Sequence, residues 1–473
     1  MSEVDRLAAG CLLPSFPGME APAWVLRGLE EGLGGICLFA YNVGERLPEL
    51  TASLRAARPD VLIGIDEEGG DVTRLEVAAG SSYPGNGALG AVDDVELTGR
   101  VAASIGADLA AAGVNLDFAP VADVNANPAN PVIGIRSFGS DYDLVSRHVA
   151  AFVHGLQGQG VAACAKHFPG HGTTEADSHL ELPVVTDDVR PGLEPFRAAI
   201  AAGVDSIMTA HVLVPALDEL PATLSRDVVG GLLRDELGYD GLVIADALEM
   251  KAVSATYGIE RSAVLAIAAG VDALLIGHDL GEGAVQAVRT ALVRAVSTGE
   301  LDEGRLREAS GRVARVGSRE PIPGSRDLEA AGVVARRALE IDGAVPLEGS
   351  PLVVELRPQA NIAAGEAEHS LGSVIASRLP GAEAIVLDES TAEKARIDGI
   401  RAGRPVVVVL RDAHRHRWMR DLADSLAPAV AVETGIALWR PAHAGGYVVT
   451  HGGSRASYEA VADVLQPRNG GPK

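Results

Sequence analysis

The sequence predicts an α/β chain: a (β/α)8 TIM-type barrel followed by a smaller α/β sandwich domain. Three observations carry this. Short apolar runs alternate with helical patterns through the first two thirds of the chain. Glycine introduces several of those runs, at Gly113-Val114, Gly160-Val161, Gly203-Val204, Gly241-Leu242 and Gly270-Val271, as expected of a helix C-cap leading into a strand. Polar residues then cluster where the runs end, at the strand C-termini where a parallel barrel places its chemistry.

Eight strands are expected, near 10–14, 35–40, 61–65, 114–118, 161–165, 206–210, 242–245 and 273–276. Between them lie Ala/Leu-rich stretches with apolar residues three or four apart, such as 144–157 and 193–202. The barrel is assigned to residues 1–318. Residues 319–345 read as a linker, with two prolines and a glycine in 318–326, and a connecting helix near 327–339. Residues 346–473 then show strands near 352–356, 384–387, 406–410, 429–433 and 447–450, an open parallel sheet.

Composition excludes some functions. The formal net charge of -24 argues against nucleic acid or anionic membrane as a partner. No apolar run reaches about 18 residues and the first residues lack a secretory pattern, so a cytoplasmic protein is expected. Cys11, Cys37 and Cys164 are too few and too widely spaced for a disulfide framework or a metal knuckle.

The densest chemistry is Lys166-His167-Phe168-Pro169-Gly170-His171-Gly172-Thr173-Thr174-Glu175-Ala176-Asp177-Ser178-His179, expected as a glycine-broken loop after the fifth strand. Asp177 and His179 are two apart, so in extended backbone they share a side, and the carboxylate can orient the imidazole. His167, His171 and His179 are close in sequence, but Pro169 and Gly170 break any helix that would pair them on a metal, and none is expected. Gly85-Asn86-Gly87-Ala88-Leu89-Gly90 matches a dinucleotide fingerprint in letters only. Turn material precedes it, so it reads as a loop, and no cofactor is expected. Asp66-Glu67-Glu68 end the third strand, where alternation keeps all three from one pocket and a charge run is usually solvated. Residues 120–125, Asp123 and Asn125 among them, follow the fourth strand, His211 ends the sixth, and His278-Asp279 follow the eighth. Asp246 ends the seventh, where a lone carboxylate is costly to bury without partners. Arg136 sits among glycines able to shape a loop around it. His414, His416 and the His451-Gly452-Gly453-Ser454 stretch read as turn and surface residues.

Together these segments resemble glycoside hydrolase family 3, in particular its NagZ-type β-N-acetylglucosaminidases. The matching residues are Ile65–Gly70 with Arg74, Val132–Phe138, Lys166–Gly172 with Asp177-Ser178-His179, and Asp246. The resemblance covers about residues 1–320. It implies a retaining exo-glycosidase with Asp246 as nucleophile and His179, paired with Asp177, as general acid/base. Asp66, Arg74, Arg136, Lys166 and His167 would hold the terminal sugar. The substrate implied is a small GlcNAc glycoside, a muropeptide or chitooligosaccharide. The sequence departs from the family pattern at Glu67, where Gln is common, at Asp71, near which an arginine is common, and at Ala245 and Ala247 beside the nucleophile. Two other readings stay open: a GlcNAc or glucose phosphorylase, with phosphate as acceptor, or a β-glucosidase on the same barrel, and a non-catalytic sugar-binding protein.

Overall fold

The computed structural model describes residues 1–277, 280–358, 369–392 and 403–466. Two compact units emerge. The first takes residues 1–68, 98–133 and 140–326, the second residues 69–97, 134–139 and 327–473.

The first unit contains eight strands: β1 Leu12–Pro14, β2 Gly35–Leu38, β3 Leu62–Ile65, β4 Leu116–Asp117, β5 Ala162–Phe168, β6 Ser206–Thr209, β7 Leu242–Ala245 and β8 Ala273–Ile276. All eight expected strands form. Their order is β1-β8-β7-β6-β5-β4-β3-β2, every ladder parallel. β1 and β2, the ends of that order, lie side by side, so the sheet is nearly closed into a barrel.

Alternation decides what fills it. Leu13, Cys37, Leu62, Leu116, Phe118, Ala162, Cys164, Met208, Leu242 and Ile244 pack together in its interior. Fully burying a Leu or Phe contributes about 1.5–3 kcal/mol. Gly64 makes room: a Cβ there would come within 2.6 Å of the Phe118 ring. The amino-terminal rim is tied by Asp272, fully buried just before β8. Arg234 (2.6 Å), Arg312 (3.3 Å) and Arg305 all pair with it.

Gly113, Gly160, Gly203 and Gly270 have positive φ, as their place after helices requires. Gly241 does not. There the left-handed residue is Gly238, three positions earlier.

The second unit holds a six-stranded sheet formed by β9 Glu340–Gly343, β10 Leu352–Leu356, β11 Glu383–Leu387, β12 Val406–Leu410, β13 Val430–Glu433 and β14 Gly446–Val449. Its order is β11-β10-β12-β13-β14-β9, with β10 to β14 parallel. The sandwich follows from the pleat: Val407 and Val409 join a core with helices Leu371–Arg378 and Arg455–Leu465, while Val406, Val408 and Leu410 join one with helix Arg417–Leu426. The expected open parallel sheet needs one correction. β9, in the stretch read as linker and helix, adds antiparallel to β14. Its four residues are exposed and two are acidic, so no apolar pattern marked it.

Gly85–Gly90 is not the expected loop. Asn86–Val92 is a helix, and its glycines let it lie against residues 134–139. A Cβ on Gly90 would overlap the Phe138 carbonyl, and one on Gly87 would meet the Ile135 carbonyl at 3.0 Å.

Candidate active site

The carboxyl rim of the barrel gathers the expected polar residues of the first unit. Leu62 and Gly64, Ala162 and Cys164, Leu242 and Ile244 face the interior in turn. Asp66, Lys166 and Asp246 each continue that parity by one residue pair.

Lys166 and His167 lie within β5, not beyond it as expected, because the strand runs on to Phe168. The β5–β6 register breaks between Ala165 and Phe168. A bulge re-aims side chains, and both neighbours are used. Lys166 is 2% exposed and its Nζ donates to Asp66 Oδ1 and lies 2.7 Å from both Asp66 Oδ1 and Glu68 Oε1. Glu68 is 3% exposed, so this charge run is buried rather than solvated, held by the lysine. The backbone N–H of Glu67 donates to Asp117 Oδ1 at 2.9 Å. Asp117 is fully buried, and burial raises its carboxyl well above the usual range. Burial there works against a further negative charge beside the cluster.

His167 and His171 are organised by Asp123. Its Oδ2 lies 2.7 Å from His167 Nδ1 and accepts the His167 N–H, while Oδ1 accepts the His171 N–H at 2.6 Å. Burial acts to raise the Asp123 carboxyl, but His167 outweighs it and holds it below its ordinary value. A carboxylate can only accept, so His167 Nδ1 carries the proton. Burial pushes the His171 imidazole down to about 4, and it bonds to Thr174 and Ser178 instead. Among the described residues no group of three or more His, Cys, Asp or Glu is placed to hold a metal ion.

Asp177 and His179 do meet: Oδ1 lies 2.7 Å from Nδ1 and accepts the His179 N–H at 2.9 Å. The backbone is a turn within the expected loop, with the Asp177 carbonyl accepting from Leu180 and Glu181, so the two side chains meet through an aspartate turn and not through extended backbone. Burial acts to raise the Asp177 carboxyl, but the His179 bonds dominate and hold it below its usual range.

Asp246 lies among histidines. Burial works to raise its carboxyl, yet His211, His167 and His179 outweigh it and lower it. His211 is fully buried, its Nε2 donating to the Ala247 carbonyl at 3.0 Å and its Nδ1 beside Thr223 Oγ1 at 2.9 Å. The Ala247 N–H donates back to Asp246 Oδ1 at 2.8 Å.

Arg74 and Arg136 belong to the second unit. Arg136 ends a tight turn, Gly134–Arg136, and is 8% exposed. Its carbonyl accepts from Asn86 Nδ2 at 2.8 Å. His278 and Asp279 lie outside the described residues. Sequence reasoning noted Asp123 and His211 only as strand-end polar residues. Their rim position was the signal, and the partners that give them work are distant in sequence.

A parallel barrel that gathers a carboxylate held below its ordinary range, a carboxylate-held imidazole and a lysine between two acids on one rim defines the class: a barrel enzyme with its ionisable groups at the strand C-termini. Residues 20–316 match the Glycosyl hydrolase family 3 N terminal domain, and the chain belongs to that family. It is similar to a β-hexosaminidase A of Pseudoalteromonas piscicida, 38% identical over 273 residues that cover 52% of this chain and 46% of that protein. A β-hexosaminidase of Bordetella avium is 39% identical over 257 residues, 52% of this chain and 73% of that protein. The chain thus spans about half the length of the first of these relatives. The structure of a glycoside hydrolase family 3 β-N-acetylglucosaminidase from a Paenibacillus species is similar over both units, with 32% identity and a TM-score of 0.86, covering 98% of this chain and 97% of that one.

Proposed function

We propose that the chain is a retaining exo-β-N-acetylglucosaminidase that removes terminal GlcNAc from muropeptides or chitooligosaccharides. The observation that carries this is an Asp246 carboxylate held below its ordinary range within electrostatic reach of the Asp177-held His179. In the first step Asp246 attacks C1, the glycosidic C–O bond breaks, and His179 Nε2 passes its proton to the leaving oxygen. In the second, water gives that nitrogen a proton and its oxygen displaces the carboxylate from C1, so two inversions leave the configuration retained. Asp177 keeps the Nδ1–H in place, which leaves Nε2 for the exchange. Asp66 and Lys166 would hold the sugar hydroxyls, and His167, with Nδ1 committed to Asp123, would offer Nε2 to the same ring. The setting belongs to this reading too: Cys11, Cys37 and Cys164 are all buried, and a reducing cytoplasm is the compartment we propose. Among the described residues, no helix is long and apolar enough to cross a membrane.

Asp246→Asn should abolish turnover of an aryl β-GlcNAc substrate. His179→Ala should spare the first step most when the leaving group is good. Wild-type rates in both variants would refute the assignment. A second reading, phosphorolysis, is favoured by the acid/base being an imidazole, which repels an anionic acceptor less than a carboxylate would. Products compared with and without phosphate decide it: a sugar 1-phosphate supports the second reading, free GlcNAc in both buffers the first.

A further inference from the structure

Residues 69–97 run between barrel strands in the sequence but pack within the second unit, and they carry Arg74. From Asp71 to Pro84 this segment has no strand or helix, so individual hydrogen bonds and ion pairs set its place. Those bonds converge on one corner of the second unit. Asp71 pairs with Arg411, which follows β12. Its Oδ2 also accepts the Gly453 N–H at 3.0 Å. The Ser81 carbonyl accepts the Arg455 N–H at 3.0 Å, and the Arg455 guanidinium reaches Glu76 at 3.2 Å and Ser82. The His451–Ser454 stretch is therefore no idle surface turn. His451 (φ +53°) and Gly452 (φ +145°) reverse the chain, His451 itself pairs with Glu340, and Gly453 arrives against Asp71. A Cβ there would sit 2.6 Å from Asp71 Oδ1 and 2.8 Å from the Tyr458 hydroxyl, so any side chain would push these groups aside.

We infer that Asp71 and Arg411, with the Gly453 N–H as a third arm, form a positioning clamp that sets Arg74 for sugar binding. This rests on the glycosidase reading, in which Arg74 is a sugar ligand. Arg74 stands three residues beyond the clamped carboxylate, so movement of Asp71 is passed along a short chain. Misplacing a binding group by about 1 Å can cost about 100-fold in rate.

The test compares full-length protein with three variants. Asp71→Asn with Arg411→Met removes both charges together, so no unpaired buried ion is left to unfold the unit. Gly453→Ala displaces Asp71 and changes no charge. Arg411→Lys keeps the cation. On an aryl β-GlcNAc substrate the first two should raise KM about tenfold or more with a smaller change in kcat, and Arg411→Lys should stay within about threefold of wild type. A merely structural role would lower the active fraction, and hence kcat, at unchanged KM. Either that pattern or wild-type KM in both disruptive variants overturns the clamp. Calorimetric Kd values for a non-hydrolysable GlcNAc thioglycoside read the same effect without turnover. Wild-type protein that binds this probe but does not cleave the aryl substrate would sink the hydrolase reading alone, while equal Kd across the variants would sink the clamp alone.

Discussion

Replacing Lys166 with Met probes the buried charge cluster most directly. The lysine is 2% exposed and 2.7 Å from each of two carboxylates. Asp66, with its side chain 25% exposed, can regain water when the cation goes, but Glu68, at 3%, cannot. One stranded buried charge sets the magnitude: about 3–5 kcal/mol of lost stability. Urea unfolding followed by Trp24 fluorescence, with Trp418 and Trp439 changed to Phe, reads the unit that holds the cluster. The loss must depend on pH. A buried carboxylate without its cation titrates higher in the folded state than in the unfolded chain, so the folded form binds more protons. Stability then falls as pH rises, and the deficit should be largest near pH 8 and shrink toward pH 5. Adding Glu68→Gln should recover at least about 1 kcal/mol at pH 8. Equal losses at both pH values, or no recovery from the second change, would refute the reasoning.

Asp272→Asn should cost about 3–5 kcal/mol, because it leaves Arg234, Arg305 and Arg312 facing a neutral group on the amino-terminal rim. Its KM for an aryl glycoside should not move, and a changed KM would count against the purely structural role. In the second unit, Glu433 is fully buried, and burial, followed by Asp412, pushes its carboxyl up to about 7. Its contribution is complete below the unfolded value of about 4.3 and fades as pH rises through 7. Denaturation of the second unit, read at pH 5, 6, 7 and 8, should show that decline, and Glu433→Gln should flatten it.

The barrel was legible because its signals are local. Period-two apolar runs and glycine punctuation at Gly113, Gly160, Gly203 and Gly270 are set by neighbouring residues. The rim residues followed from the strands. What escaped was set by distant partners. Asp123 serves His167 from 44 residues away, and the Glu68 carboxylate is buried only because Lys166 arrives from another strand. β9 escaped because its Glu340-Ile341-Asp342-Gly343 pattern is that of an exposed edge strand, where charge guards against further pairing. The bulge in β5 was invisible for a related reason, since a register break is a relation between two strands rather than a property of one.

One consequence concerns where the chain can be cut. The Pro/Gly-rich stretch at 318–326 looks like a natural place to excise the barrel. Yet residues 69–97 keep their packing company downstream of it, Asp71 with Arg411 and Glu76 with Arg455, and residues 134–139 pack with them in the same unit. A fragment ending at the linker would carry these two excursions without the partners that shape them. In this protein the seam in the sequence and the seam in space are different places, and a barrel-only fragment would be an incision through the second unit, not the release of the first.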